Sequence, residues 1–153
     1  MSEGMVFFVE GQPEGKARPR FTRAGITFTP KKTVAYEERI RDRFLQAGGK
    51  MVPSGGYVFI NVEAIFDIPK SYPKKKREAC LCGGIRPDKK PDADNILKAV
   101  LDALNGVAYE DDRQVVEVLC IKKYIGGDGW KSYGMEPGLY IGIGMLGGSE
   151  DAE

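Results

Sequence analysis

The chain reads as an α/β (α+β) fold, a mixed β-sheet with two main helices packed on it in a single domain. Three observations predict it. Apolar residues alternate with a period of two over residues 57–66 and recur at helical spacing over residues 33–47 and 94–104. These segments fall in the order strand, helix, strand, helix, strand, strand. A length of 153 residues, with 42% hydrophobic and 29% charged, matches one ordinary globular core.

Each element has a local reason. Residues 5–9 are a short apolar run that reads as a strand, and residues 11–25 form a loop rich in Gly, Pro and basic residues. Residues 26–29 read as a short extended piece. Over 33–47, Val34, Ala35, Ile40, Phe44 and Leu45 sit among charged residues, the pattern of an amphipathic helix closed by Gly48 and Gly49. Its Glu37, Glu38, Arg39, Arg41, Asp42 and Arg43 are expected to face solvent. After a turn at 53–56, the strand 57–66 places Val58, Ile60, Val62 and Ala64 on one face. Residues 67–91 read as a long basic loop with four prolines, and a loop of that length in a small domain is usually functional. The second helix, 94–104, carries an apolar stripe of Ile96, Leu97, Val100, Leu101 and Leu104 and closes at Asn105-Gly106. Residues 114–124 and 138–145 read as two further strands. The core is expected within 5–146, with a small acidic tail over 147–153 that frays.

Composition removes whole classes of function. No run approaches the roughly 18 apolar residues of a membrane span, and the first residues lack the basic flank of a secretion signal. Three cysteines fit a reduced compartment better than a disulfide framework, so a cytoplasmic protein is expected. Histidine is absent, which eliminates Ser-His-Asp and Cys-His mechanisms and imidazole-bound zinc. Cys80 and Cys82 form C-x-C with only Cys120 elsewhere, so one chain cannot build a four-thiolate zinc site. Catalysis, if present, rests on carboxylates, lysine, tyrosine, cysteine or a metal held by oxygen.

The net charge of +1 conceals a division. Residues 1–90 hold 18 Lys and Arg against 10 Asp and Glu, a balance of +8, whereas residues 91–153 hold 5 against 12, a balance of −7. The positive charge clusters at Lys16, Arg18, Arg20, Arg23, Lys31 and Lys32, then at Lys70, Lys74, Lys75, Lys76 and Arg77, then at Arg86, Lys89 and Lys90. Clusters of this kind are the footprint of a polyanion partner, although each alone also fits a solvated basic loop.

The acidic residues gather just after the sign changes. Asp92 and Asp94 stand at i and i+2 in a segment that Pro91 biases towards extended backbone, where both side chains point the same way. Asp94 is then placed at the helix N-cap, with Lys98 and Asp102 following at four-residue steps along one ridge. Glu110, Asp111 and Asp112 lead into the next strand. Three or four carboxylates meeting there would repel one another unless a cation neutralised them, and the hard cation that suits oxygen ligands is Mg²⁺, with Mn²⁺ as its substitute. The plainer alternatives are a helix cap at Asp94, a solvated turn at 110–112, and a Lys98–Asp102 pair contributing about 0.3–0.5 kcal/mol.

The run Lys90-Pro-Asp-Ala-Asp-Asn-Ile-Leu-Lys-Ala-Val-Leu-Asp-Ala-Leu-Asn-Gly, followed by Tyr109-Glu-Asp-Asp-Arg-Gln-Val-Val and then Lys122-Lys123-Tyr124, resembles the core of RusA-type Holliday junction resolvases. Weaker likeness extends upstream to Lys16-Ala-Arg-Pro-Arg, Thr29-Pro30 and the Pro69-Lys-Ser-Tyr72 loop, and together these span most of 5–146. The resemblance implies a RusA-like fold and a small homodimeric, Mg²⁺-dependent endonuclease. Such an enzyme nicks two opposing strands of four-way junction DNA in recombination and repair, and associates with the nucleoid when bound. It also implies that Asp92, Asp94 and Asp112 bind the metal, with Asp111 as a supporting or alternative ligand and Lys98 as the essential lysine. Ala93 departs from the larger apolar residue common between the paired aspartates.

The chemistry of the residues agrees with that implication. Phosphodiester hydrolysis without histidine calls for a metal, and Lys98 could neutralise a non-bridging phosphate oxygen as charge develops. Lys16, Arg18, Arg20, Lys70, Lys74, Lys75, Lys76, Arg77, Lys89 and Lys90 are expected to grip phosphates without reading sequence, while Tyr72, on the basic loop, could either stack on an unpaired base at the crossover or serve as a packing residue. Two equal sites on a two-fold dimer suit the near two-fold symmetry of a four-way junction. Two rival readings stand beside this one. They are a non-catalytic protein that binds branched DNA, and a metal-dependent enzyme of nucleotides or nucleotide sugars.

Overall fold

The computed structural model describes residues 3–17, 20–126 and 136–146. Its centre is a mixed four-stranded sheet of β1 (Glu3–Glu10), β4 (Tyr57–Phe66), β5 (Val115–Tyr124) and β6 (Gly138–Leu146), in the spatial order β1-β6-β4-β5. Strand β6 runs antiparallel to both β1 and β4, whereas β4 and β5 are parallel. A parallel pair needs a crossover, and here it holds α2 (Lys74–Leu81) and α3 (Ala93–Leu104). Before it come the two-residue strands β2 (Arg20–Phe21) and β3 (Thr27–Phe28), paired as a hairpin, and α1 (Lys31–Gln46). The expected strand, helix, strand, helix, strand, strand order is therefore the frame, with the hairpin and α2 inserted.

Alternation along each strand sends one set of side chains to the helices. Phe7, Val9, Val58, Ile60, Val62, Ala64, Leu139, Ile141 and Ile143 are buried there against Tyr36, Ile40 and Phe44 of α1 and Ile96, Ala99, Val100, Ala103 and Leu104 of α3. The rings of Phe7 and Phe44 meet edge to face at 5.6 Å. Ala99 and Ala103 join the stripe expected of α3 because small side chains let the helix seat closely.

Helix α1 departs from its expected face. It buries Thr33, Tyr36, Ile40 and Phe44, spaced three, four and four apart, while Val34 and Leu45 stay exposed. The stripe is turned so that Tyr36, 2% exposed, takes a place the apolar pattern gave to aliphatic residues. Nor do all its charged residues simply face solvent. Arg41 donates through Nε to the Ala103 carbonyl at 3.1 Å, Arg43 pairs with Glu10 at 2.7 Å, and Glu37 pairs with Lys16 at 2.6 Å.

The opposite sheet face is partly exposed among the described residues. Val6, Gly142, Asn61 and Leu119 lie in one cross-strand row, and Phe8, Tyr140, Glu63 and Ile121 in the next. Val6 and Leu119 are 59% and 51% exposed.

The segment 67–91 is not the continuous loop that its prolines predict. Pro73 stands at the N-cap of α2, where its missing N–H is no loss, and the turn packs Ile68, Cys80 and Tyr124 into a small cluster with Phe66, Tyr72 and Ile85. Among the described residues, no helix is long and apolar enough to cross a membrane.

Candidate active site

Helix α3 begins one residue before the expected cap. Asp92, with φ −70° and ψ 154°, is the N-cap, and Asp94 lies inside the first turn. The extended i, i+2 geometry that would aim both carboxylates alike is therefore not adopted, because Ala93 is already helical. Both carboxylates are exposed, at the end of α3 where the peptide dipoles favour negative charge. Asp92 accepts no capping hydrogen bond through its side chain, and it lines a cleft of about 580 Å³ with Gly15, Lys16, Ala17, Lys90, Pro91 and Asn95. Lys98 follows one turn on with its side chain 64% exposed.

The second acidic segment is a built turn. Asp111 caps a short 3₁₀ helix, Asp112–Gln114, by accepting from the Arg113 backbone N–H at 3.0 Å. That hydrogen bond, more than the nearby Arg113 charge, holds the Asp111 carboxyl below the usual carboxylate range. Asp111 is thus engaged as a cap through Oδ1, with its side chain half exposed. Asp112, the next residue, is exposed. The Gln114 side chain closes the turn from the other side. Its Oε1 accepts from the Glu110 and Asp111 N–H groups at 2.9 and 3.2 Å, and its Nε2 donates to the Pro53 and Gly56 carbonyls, each at 3.0 Å.

Tyr109 straps this turn to α3. Its buried hydroxyl donates to the Leu101 carbonyl at 2.6 Å, and burial, reinforced by the charges of Asp112 and Asp102, pushes its pKa well up. Among the described residues, no three Cys, Asp or Glu side chains stand close enough to hold a metal ion by themselves.

Lys16, grouped by sequence with the DNA-gripping cations, is engaged inside the protein. Its ammonium lies 2.6 Å from Glu37 and 3.1 Å from Asp102, with the side chain only 18% exposed. Burial alone would lower its pKa, but the two carboxylates outweigh that and hold it above the ordinary value. Its backbone N–H also donates to the Asn95 carbonyl at 3.0 Å. Gly15 permits this approach, since a Cβ there would lie 2.8 Å from Pro91 Cβ and 3.0 Å from Asn95 Cβ.

The other cations divide. Lys70, Lys74, Lys75, Lys76, Lys89 and Lys90 are exposed. Arg77 turns inward to donate to the Pro69 carbonyl at 3.0 Å. Tyr72 is half-buried, with the Lys76 ammonium 4.0 Å from its ring centroid, hydrogen bonds to Tyr124 and packs against the cluster of Ile68, Cys80 and Tyr124. Arg18 lies outside the described residues, as does the side chain of Arg20. Sequence reasoning missed Tyr109 and Gln114 as supports. Both were visible only as part of the motif that begins at Tyr109.

The donor set nevertheless suits a hard cation. Mg²⁺ is commonly held by one or two carboxylates and completed by water and substrate phosphate, not by a closed protein cage, and exposed Asp92 and Asp94 supply oxygen donors of that kind.

Comparison with known proteins adds two findings. The family model described as Endodeoxyribonuclease RusA matches residues 10–144. A Bacillus subtilis (strain 168) protein, named there the uncharacterized protein YqaN, is 36% identical over 123 residues, covering 77% of this chain and 86% of its own length.

Proposed function

We propose that this chain, which belongs to the RusA endodeoxyribonuclease family, is a Mg²⁺-dependent hydrolase that resolves four-way DNA junctions by paired symmetric nicks in recombination and repair. The observation that carries this reading is the start of α3. There an uncapped, exposed Asp92 and an exposed Asp94 border an open cleft, with the Lys98 ammonium one turn away.

In this reading Asp92 and Asp94 hold the cation, with Asp112 as the third carboxylate of the set. When bound, Mg²⁺ or Mn²⁺ acidifies the attacking water and offsets charge on the phosphate. Lys98 stabilises a non-bridging phosphate oxygen, whose charge grows in the transition state. Lys70, the exposed lysines of α2, Lys89 and Lys90 hold the DNA backbone without reading bases. The protein works in the cytoplasm, associated with the nucleoid through its substrate, as one nuclease unit over 5–146.

Two symmetric nicks require two sites, and the partly exposed sheet face supports a homodimer. With strands about 4.8 Å apart and residues about 3.3 Å apart along them, four strands of about eight residues cover roughly 500 Å². Side-chain relief raises that towards the ~800 Å² per partner of a stable interface. Exposed Val6 and Leu119, with Gly142 between them in the same row, favour a second copy of the same face.

The test is cleavage of a labelled synthetic four-way junction beside a linear duplex of equal sequence, with Mg²⁺ and with chelator. Symmetric nicks on the junction alone, lost with chelator and in Asp92→Asn, are expected. Tight junction binding with no nicks under any condition would instead identify a branched-DNA-binding protein.

A further inference from the structure

Asp102 is contested by two lysines. The same oxygen, Oδ2, lies 3.1 Å from Lys16 and 3.7 Å from Lys98. The two competitors differ in freedom. Lys98 is 64% exposed on the helix surface, and an exposed i, i+4 pair of this kind is weak. Lys16 is 18% exposed, is anchored by its own backbone to Asn95 at the first turn of α3, and bridges Asp102 to Glu37 of α1. Ion pairs withdrawn from water are screened less than exposed ones, so the Lys16 contacts hold Asp102 more firmly.

We propose that Lys16 is a positioning residue of the nuclease site: by neutralising Asp102 it keeps that carboxylate from capturing Lys98, and so leaves the Lys98 ammonium available to the scissile phosphate. This rests on the reading of the chain as a metal-dependent nuclease. Lys16 acts through Asp102 on Lys98, and Gly15 is required because only a glycine lets the segment sit against Pro91 and Asn95. Without Lys16, Asp102 and Glu37 would stand half-buried and uncompensated, and Lys98 is the cation already poised beside one of them.

The experiment compares Lys16→Met, Lys16→Arg and Lys16→Met with Asp102→Asn, in the full chain. Under saturating junction DNA and Mg²⁺, Lys16→Met is expected to lower kcat about ten-fold, less than the 10²–10³ of losing an electrostatic donor outright. KM should barely change, because the grip of Lys70, the α2 lysines, Lys89 and Lys90 is untouched. Lys16→Arg should stay near wild type, and adding Asp102→Asn should recover most of the lost kcat. A second readout needs no catalysis. The side-chain nitrogen resonance of Lys98, assigned by comparison with Lys98→Arg, should move on Lys16→Met and return when Asp102→Asn is added. A Lys16→Met protein with wild-type kcat, a kcat loss that Asp102→Asn does not rescue, or an unmoved Lys98 resonance would each overturn the proposal. Failure of wild-type protein to nick any junction would overturn the nuclease reading instead, while the resonance would still report on Lys16 and Lys98.

Discussion

Replacing Gln114 with alanine tests the most fully bonded side chain at the candidate site. Its amide makes four hydrogen bonds to backbone groups of two segments, 53–56 and 110–111. The bonds to Glu110 N and Pro53 O are exposed, so water replaces them at little cost. Those to Asp111 N and Gly56 O are partly buried, and at a net ~0.5–1.5 kcal/mol each their loss amounts to about 1–3 kcal/mol. Urea unfolding followed by circular dichroism measures the difference directly, with a lower midpoint and an unchanged m-value expected. Gln114→Glu sharpens the test. It keeps both acceptors but loses both donors and sets a carboxylate against two carbonyl oxygens, so it should cost at least as much as alanine. A loss under about 0.5 kcal/mol in alanine, or a glutamate variant as stable as wild type, would refute the argument that the amide clamps the Asp112 turn.

Four further outcomes are expected. At pH 8 a thiol reagent should label one cysteine per chain quickly, the exposed Cys82. Cys80 is buried, and burial pushes the Cys120 thiol up to about 11, so Cys82→Ser should abolish the fast phase, and a second fast thiol would contradict this burial. Neutralising Lys74, Lys75 and Lys76 together should flatten the dependence of log affinity for duplex-armed DNA on log salt by up to about 2.7, at ~0.9 per phosphate contact. An unchanged slope would remove α2 from the DNA surface. Light scattering of wild type should give twice the 16.8 kDa chain mass, and Val6→Lys with Leu119→Lys the mass of one chain. A monomeric wild type would defeat the sheet-face dimer. Finally, folding raises the Lys16 pKa, so its contribution is fully present below the ordinary lysine value of 10.5 and fades as pH rises through the folded value. The stability gap between wild type and Lys16→Met should hold from pH 7 to 10 and narrow above 10.5, and a gap that widened there would reverse the sign.

What could be read in the sequence follows the range of the forces involved. Strand β4 occupies the predicted 57–66, and its Val58, Ile60, Val62 and Ala64 are buried as alternation requires, because a period of two is local information. Helix α3 and strands β5 and β6 also fall within a residue or so of expectation. The face of α1 was misjudged where Tyr36 and Thr33 outranked Val34 and Leu45, since burial there depends on which side meets the sheet. Helix α2 was hidden among prolines and lysines because its stability comes from one buried cysteine and neighbours from β4 and β5. At the site, Asp92, Asp94, Asp112 and Lys98 stood out as local motif. What arranges them did not, since Lys16 meets residues 21 and 86 positions away, and Gln114 bonds residues about 60 positions back.

Those long-range ties share a direction. Lys16 binds α3 to α1 and to the segment after β1, Arg41 donates to the last turn of α3, and Tyr109 and Gln114 hold the Asp112 turn against α3 and the start of β4. None supplies chemistry, yet each fixes α3 relative to something rigid. The first turn of α3, in contrast, keeps Asp92 uncapped and both its carboxylates exposed, although a capping hydrogen bond at such a position is commonly worth about 1 kcal/mol. A helix that was only structural would gain by using that aspartate as a cap. Leaving it free while bracing the rest of the helix fits the proposed site, whose ligands would meet a cation and a phosphate that arrive together with the DNA.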